Sequence, residues 1–110
     1  MPDFIRCSPD RYSVVMPRPL SPEEIQEGLR SLPGWRHEGG EIFKWYKFAG
    51  FPEAIAFLGR LVEPAERVNH HPDVENHERR VRIALHTWSE EAVTDKDLAL
   101  AAEIEKLAET

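Results

Sequence analysis

PEAIAFLGRLVEPAERVNHHP, residues 52–72, is the stretch on which the fold depends. Ala54, Phe57, Leu61, Ala65 and Val68 recur at three- and four-residue intervals, and Ile55, Leu58 and Val62 widen the apolar stripe, so the segment predicts a long helix with one buried side. Pro64 stands inside it. A proline has no N–H for the carbonyl four residues back and its ring crowds that carbonyl, which predicts a kink near Arg60 or an early end, with the stripe resuming beyond. The segment closes on Asn69-His70-His71-Pro72, two adjacent imidazoles at or just past a helix end, with Glu66 four residues before His70.

Upstream, Ser21-Pro22-Glu23-Glu24 combines a capping serine, a proline at the first helical position and a glutamate three after the cap. Ile25, Leu29 and Leu32 follow at helical spacing, which predicts a short first helix ended by Pro33-Gly34. Residues 35–37 and 41–48 read as two strands joined by a Gly39-Gly40 hairpin turn. Downstream, a weak strand over 74–77 precedes a stronger one over 80–88. There Val81, Ile83, Leu85 and Thr87 alternate with Arg82, Ala84, His86 and Trp88, giving one core face and one polar, aromatic face. Thr94 caps a last helix whose buried side is Leu98, Ala101, Ile104, Leu107 and Ala108. The order α-β-β-α-β-β-α predicts an α+β fold, an antiparallel four-stranded sheet with three helices packed on one face.

At 110 residues the chain has room for one core, so residues 20–110 are expected to form a single domain behind an extended or flexible extension over 1–19. The formal net charge of −6, with no run of Lys or Arg, argues against a nucleic-acid partner, because phosphate binding needs clustered positive charge. No secretion signal and no membrane-length apolar run is present, so no membrane partner is expected. Cys7 is the lone cysteine and cannot form an internal disulfide, which fits a reducing, cytoplasmic setting.

The His70-His71 pair is the place where proton-transfer chemistry looks assembled, since imidazole gives and takes a proton near neutral pH. Adjacent residues on an extended backbone point apart, so one ring faces a cleft and the other lies across its wall. Pro72 biases His71 away from helical angles. Taken alone, two exposed loop histidines are the commoner outcome. His70, His71, His77 and His86 are four potential metal ligands, yet no two are four apart on one helix and none has a cysteine companion, so no metal is expected. His37 and His77 read as exposed loop or edge-strand residues. Glu66 either orients His70 through a carboxylate hydrogen bond or is a solvated helix residue. Asp97, at the third position of the last helix, has a sufficient role as part of a cap. Trp88, beside His86, either stacks on a flat heterocycle or covers the sheet.

Together these residues resemble the pterin-4a-carbinolamine dehydratase family. The likeness runs from Leu20 to Leu107 through Leu32-Pro33-Gly34-Trp35, Glu38-Gly39-Gly40, Phe51, Ala54, Phe57, and Ala65-Glu66 with three residues before His70-His71-Pro72. It continues through Val81, Ile83, Leu85, Thr87, Thr94, Asp97, Leu98 and Leu100-Ala101. The resemblance implies dehydration of 4a-hydroxytetrahydropterin (the 4a-carbinolamine) to quinonoid dihydropterin, in pterin cofactor recycling and without metal or organic cofactor. It implies His70 as general acid/base and His71 as the residue binding the pterin and its 4a-hydroxyl. Glu66, Asn69 and Asp97 would support the pair, with Pro72, His86, Thr87 and Trp88 around the substrate. It also implies a homodimer or homotetramer. Two departures stand out. Trp88 occupies the place of a third histidine and cannot shuttle a proton, since its indole only donates. His86 lies about 6.5–7 Å away along the strand, too far for direct substitution. Glu78 and Arg79 replace an aromatic residue of the site wall. These departures keep open an alternative, a catalytically weakened member acting as a binding or dimerisation protein.

Overall fold

A computed structural model of the chain describes residues 18–109. Of the expected extension over 1–19, all but Arg18 and Pro19 lies outside the described residues, and Pro19 already bridges to Thr94. Helix α1 (Pro22–Leu29) opens on the expected capping box: Ser21 Oγ accepts from the Glu24 N–H at 3.1 Å, and the Glu24 carboxylate accepts from the Ser21 N–H at 2.9 Å. Strands β1 (Arg36–Glu38) and β2 (Glu41–Lys47) pair with Glu38 opposite Glu41, leaving Gly39 and Gly40 as the whole turn. Their φ angles of 63° and 80° supply the left-handed backbone that lets a two-residue turn follow the twist of its strands.

The central helix breaks where Pro64 predicts. Helix α2 (Phe51–Arg60) ends at Leu61, whose N–H donates to Leu58 O at 3.1 Å, and α3 (Val62–Val68) begins at once. Pro64 has no N–H for the Arg60 carbonyl, yet the stripe survives the break: Ala54, Phe57, Leu61 and Ala65 are all buried. Strands β3 (Asp73–His77) and β4 (Arg80–Leu85) complete a sheet of order β1-β2-β4-β3, antiparallel throughout, and α4 (Asp95–Ala108) follows. The result is the expected α+β architecture, with the middle of its three helical units in two pieces. Tyr46 lies opposite Val81 and Ile42 opposite Leu85. These side chains share the covered face of the sheet, where Phe57, Ala101 and Ile104 complete the core.

β4 stops three residues short of the expected end at Trp88. Thr87 leaves the ladder and pairs locally, its N–H donating to Ala92 O at 2.9 Å while its carbonyl accepts from the Glu90 N–H at 3.1 Å. The alternation of sides continues past the last ladder bond, with Thr87 buried and Trp88 exposed.

A polar anchor lies toward the C-terminal end of α4. Glu105 accepts from Trp35 Nε1 at 3.1 Å, Lys44 Nζ at 2.9 Å and Tyr46 Oη at 2.7 Å, and Lys44 also donates to Pro33 O at 2.7 Å. Burial pushes the Glu105 carboxyl up, but the hydrogen bonds from Lys44, Tyr46 and Trp35 outweigh it and hold the group below the usual carboxylate range. Glu105→Gln leaves the Lys44 ammonium without its counter-charge and is expected to cost about 1–3 kcal/mol in urea denaturation at neutral pH. The unfolded chain takes up this proton near pH 4.3 and the folded chain only at lower pH. The stabilisation is therefore complete above the unfolded value and lost as pH falls through the folded one, so the gap between wild type and Glu105→Gln should narrow below about pH 4.

Candidate active site

The site is built on the way α3 ends. Asn69 adopts the left-handed region at φ 52°, which Asn tolerates better than most residues, and the His70 N–H closes the helix on Ala65 O at 3.0 Å. Arg67 pairs with Glu63 at 3.1 Å and with Glu103 of α4, tying this last turn to its neighbour. The reversal at Asn69 sends His70 inward and leaves His71 outside. His70 is 7% exposed, and its Nε2 lies 2.6 Å from Asp97 Oδ1. Asp97 is fully buried; its Oδ2 accepts from the Thr94 N–H at 2.8 Å and from Thr87 Oγ1 at 2.9 Å. The two threonine hydroxyls are 2.7 Å apart. One carboxylate thus gathers the end of α3, the loop after β4 and the first turn of α4.

Glu66 does not reach His70. Counting back four residues presumes that the helix continues, whereas the turn at Asn69 carries the chain over, so that Glu66 Oε2 meets His71 Nε2 at 2.7 Å. Both partners are exposed, and such a pair contributes about 0–1 kcal/mol, enough to bias the orientation of a ring and little more. His71, Glu66 and Pro72 line a groove of about 220 Å³, walled by Leu61, Val62 and Ala65 of the central helix and by Val74 of β3. Asn69 is exposed, and its visible task is the backbone reversal. Thr87, expected beside a substrate, is buried with its hydroxyl engaged by Asp97 and Thr94.

His86 and Trp88 stand together on the other side of the sheet end, ring centroids 4.4 Å apart and tilted by 55°, over a hollow of about 260 Å³ that Gly39, Gly40, Glu41 and Glu91 complete. Trp88 is 69% exposed. Among the described residues, Glu41, Asp73 and His86 bring donor atoms within 4.8 Å of one another, a grouping that could surround a cation. Spacing in the chain gives no sign of it, because the three meet only through the register of β2, β4 and β3. Arg82 already holds Glu41 Oε2 at 2.6 Å and brings its own positive charge to the spot. His77 lies on the edge strand β3, beside Glu75 and the Trp45 ring; His37, on the other edge, is half-buried.

The sequence model of the family described as Pterin 4 alpha carbinolamine dehydratase matches residues 18–107. The chain belongs to the pterin carbinolamine dehydratase family. Its curated relatives include a "Putative pterin-4-alpha-carbinolamine dehydratase" of Chloroflexus aurantiacus, 45% identical over 84% of this chain and 98% of the relative. A protein of the same name from Metallosphaera sedula is 44% identical over 84% of this chain and 95% of its own. Of solved structures, a transcriptional coactivator/pterin dehydratase from Brucella melitensis superimposes with a TM-score of 0.79 at 33% identity, covering 83% of this chain and 99% of that one. A pterin dehydratase-like protein identified as a RuBisCO assembly factor in the alpha-carboxysome aligns with a TM-score of 0.61 at 26% identity, over 70% and 92% of the two chains. The pterin carbinolamine dehydratase fold therefore has a neighbour described by its assembly role. No helix among the described residues is long and apolar enough to cross a membrane.

Asp97→Ala removes a carboxylate shared by three hydrogen-bond partners, one of them the cap of α4, and is expected to cost about 2–4 kcal/mol in chemical denaturation. Asp97→Asn keeps an oxygen for the cap and should lose less.

Proposed function

We propose that this protein is a cytoplasmic hydro-lyase that dehydrates 4a-hydroxytetrahydropterin to quinonoid dihydropterin, a step in recycling a pterin cofactor. The observation that carries the reading is the buried His70–Asp97 pair, with the next residue along the chain, His71, lining an open groove, in a chain of this family. In the reaction the C4a–O bond breaks, the oxygen accepts a proton and leaves as water, N5 gives up its proton and a C4a–N5 double bond forms. One proton is delivered and one is removed, so an imidazole held beside the ring can manage both transfers without metal or organic cofactor. His70, braced by Asp97, is the general acid/base. His71, steadied by Glu66, binds the pterin and its 4a-hydroxyl, with Asn69 and Pro72 setting its direction. The His86 and Trp88 rings, over a separate hollow on the other side of the sheet end, offer a second face on which a flat heterocycle could stack. Homo-oligomer formation belongs to the same reading, supported by Phe51, Ile55 and Val62, large apolar residues left exposed along α2 and α3.

A second reading, a member that binds or assembles partners with little turnover, is favoured by Trp88, which takes the place of a histidine and cannot relay a proton. The two readings part in one assay. With freshly generated 4a-hydroxytetrahydropterin followed by absorbance, wild type is expected to accelerate dehydration, His70→Ala to lose at least a hundredfold of that rate, and Trp88→His to gain. Absence of acceleration above buffer by both wild type and Trp88→His would overturn the enzyme reading.

A further inference from the structure

Asp97 is surrounded by donors, and counting the protons around it decides a property of His70 that distances alone leave open. Thr94 Oγ1 accepts from the Lys96 N–H at 3.2 Å and lies 2.7 Å from Thr87 Oγ1. Thr87 has one hydroxyl proton, and Asp97 Oδ2, 2.9 Å away, belongs to a carboxylate that, when ionised, can only accept. The Thr87 proton therefore goes to Asp97, and the Thr94 proton goes to Thr87. Oδ2 also receives the Thr94 N–H at 2.8 Å, which leaves Oδ1 to face His70 Nε2 at 2.6 Å. That contact holds a single proton. An imidazole in water keeps a proton some two to three pH units more firmly than a carboxylic acid does, and with two donors already on the carboxylate the proton belongs to the nitrogen.

We infer that neutral His70 is locked as the Nε2–H tautomer, that Nδ1 is its one proton-exchanging nitrogen, and that Thr87 is the positioning residue that holds this arrangement through Asp97. Nδ1 has no hydrogen-bond partner among the described residues, and the residue as a whole keeps 7% of its surface exposed. A molecule exchanging a proton with His70 must then approach the ring edge next to the main chain, two bonds from Cβ. Thr87 touches no reacting atom. Its hydroxyl matters because it gives Asp97 a fixed orientation, and because its own direction is imposed by Thr94. The use of Nδ1 in dehydration rests on the proposed function; the tautomer itself does not.

The test is a long-range 1H–15N correlation spectrum of the imidazoles in the full chain, uniformly 15N-labelled, at alkaline pH. His70 is assigned among the five histidines by the signals lost in His70→Gln. The expected pattern for His70 is a protonated Nε2 and an unprotonated Nδ1, while exposed His71 shows a tautomer average. Thr87→Val should shift His70 toward an average and lower kcat roughly tenfold with KM within about twofold, and Thr87→Ser should restore both. Asp97→Asn gives a second test if Thr87→Val does not fold. The Thr94 N–H keeps the amide oxygen on its side and turns the NH2 toward His70, so the tautomer should invert to Nδ1–H. A wild-type His70 protonated at Nδ1 or averaged between tautomers would overturn the inference, as would a folded Thr87→Val with an unchanged spectrum or an Asp97→Asn that fails to invert. The expected spectra in a protein that dehydrates no pterin would support the tautomer and overturn the function proposed above.

Discussion

A buried carboxylate at the start of α4 is the constraint around which the rest is arranged. Taking a charge out of water is costly unless donors replace the water, and Asp97 receives three, from a backbone N–H of its own helix cap, a threonine hydroxyl and an imidazole. Each donor sits on a different part of the chain. Satisfying the carboxylate therefore fixes where α4 begins, where the loop after β4 runs and how α3 delivers His70. The feature that makes the fold specific is the same one that aims the imidazole.

α4 is held to the sheet side at both ends by this device. Asp97 anchors its first turn and Glu105, a little over two turns on and about 12 Å along the axis, gathers Trp35, Lys44 and Tyr46. Between them Leu100, Ala101 and Ile104 supply the apolar contact. Hydrophobic burial is non-directional and would tolerate a helix that slides or rotates. Two polar anchors at opposite ends do not.

Much of this was legible in the residues because local rules and the global fold agree. The helical stripe, the Gly39-Gly40 turn, the two capping boxes and the break at Pro64 each follow from short-range chemistry, and each appears in the structure. Where the reading failed, a change of backbone direction had intervened. Of the two readings open for Glu66, the one that put it beneath His70 counts helical residues through Asn69, where the left-handed turn ends the count and hands the carboxylate to His71. The strand was extended to Trp88 because its alternation of sides continues, although its ladder bonds stop at Leu85. Asp97 was readable as a cap, whereas its three-way role is not, since His70 and Thr87 come to it from 27 and 10 residues away. The gathering of Glu41, Asp73 and His86 is equally invisible in the chain, being a product of sheet register.

The alternation at the end of β4 has an evolutionary consequence. Thr87 faces the buried carboxylate and its neighbour faces away, so the side chain of residue 88 lies outside the core, packed only on the His86 ring. A reactive ring there can be exchanged for an inert one without weakening the domain. A scaffold with this division can drift from enzyme to scaffold-like partner and back while its interior stays the same.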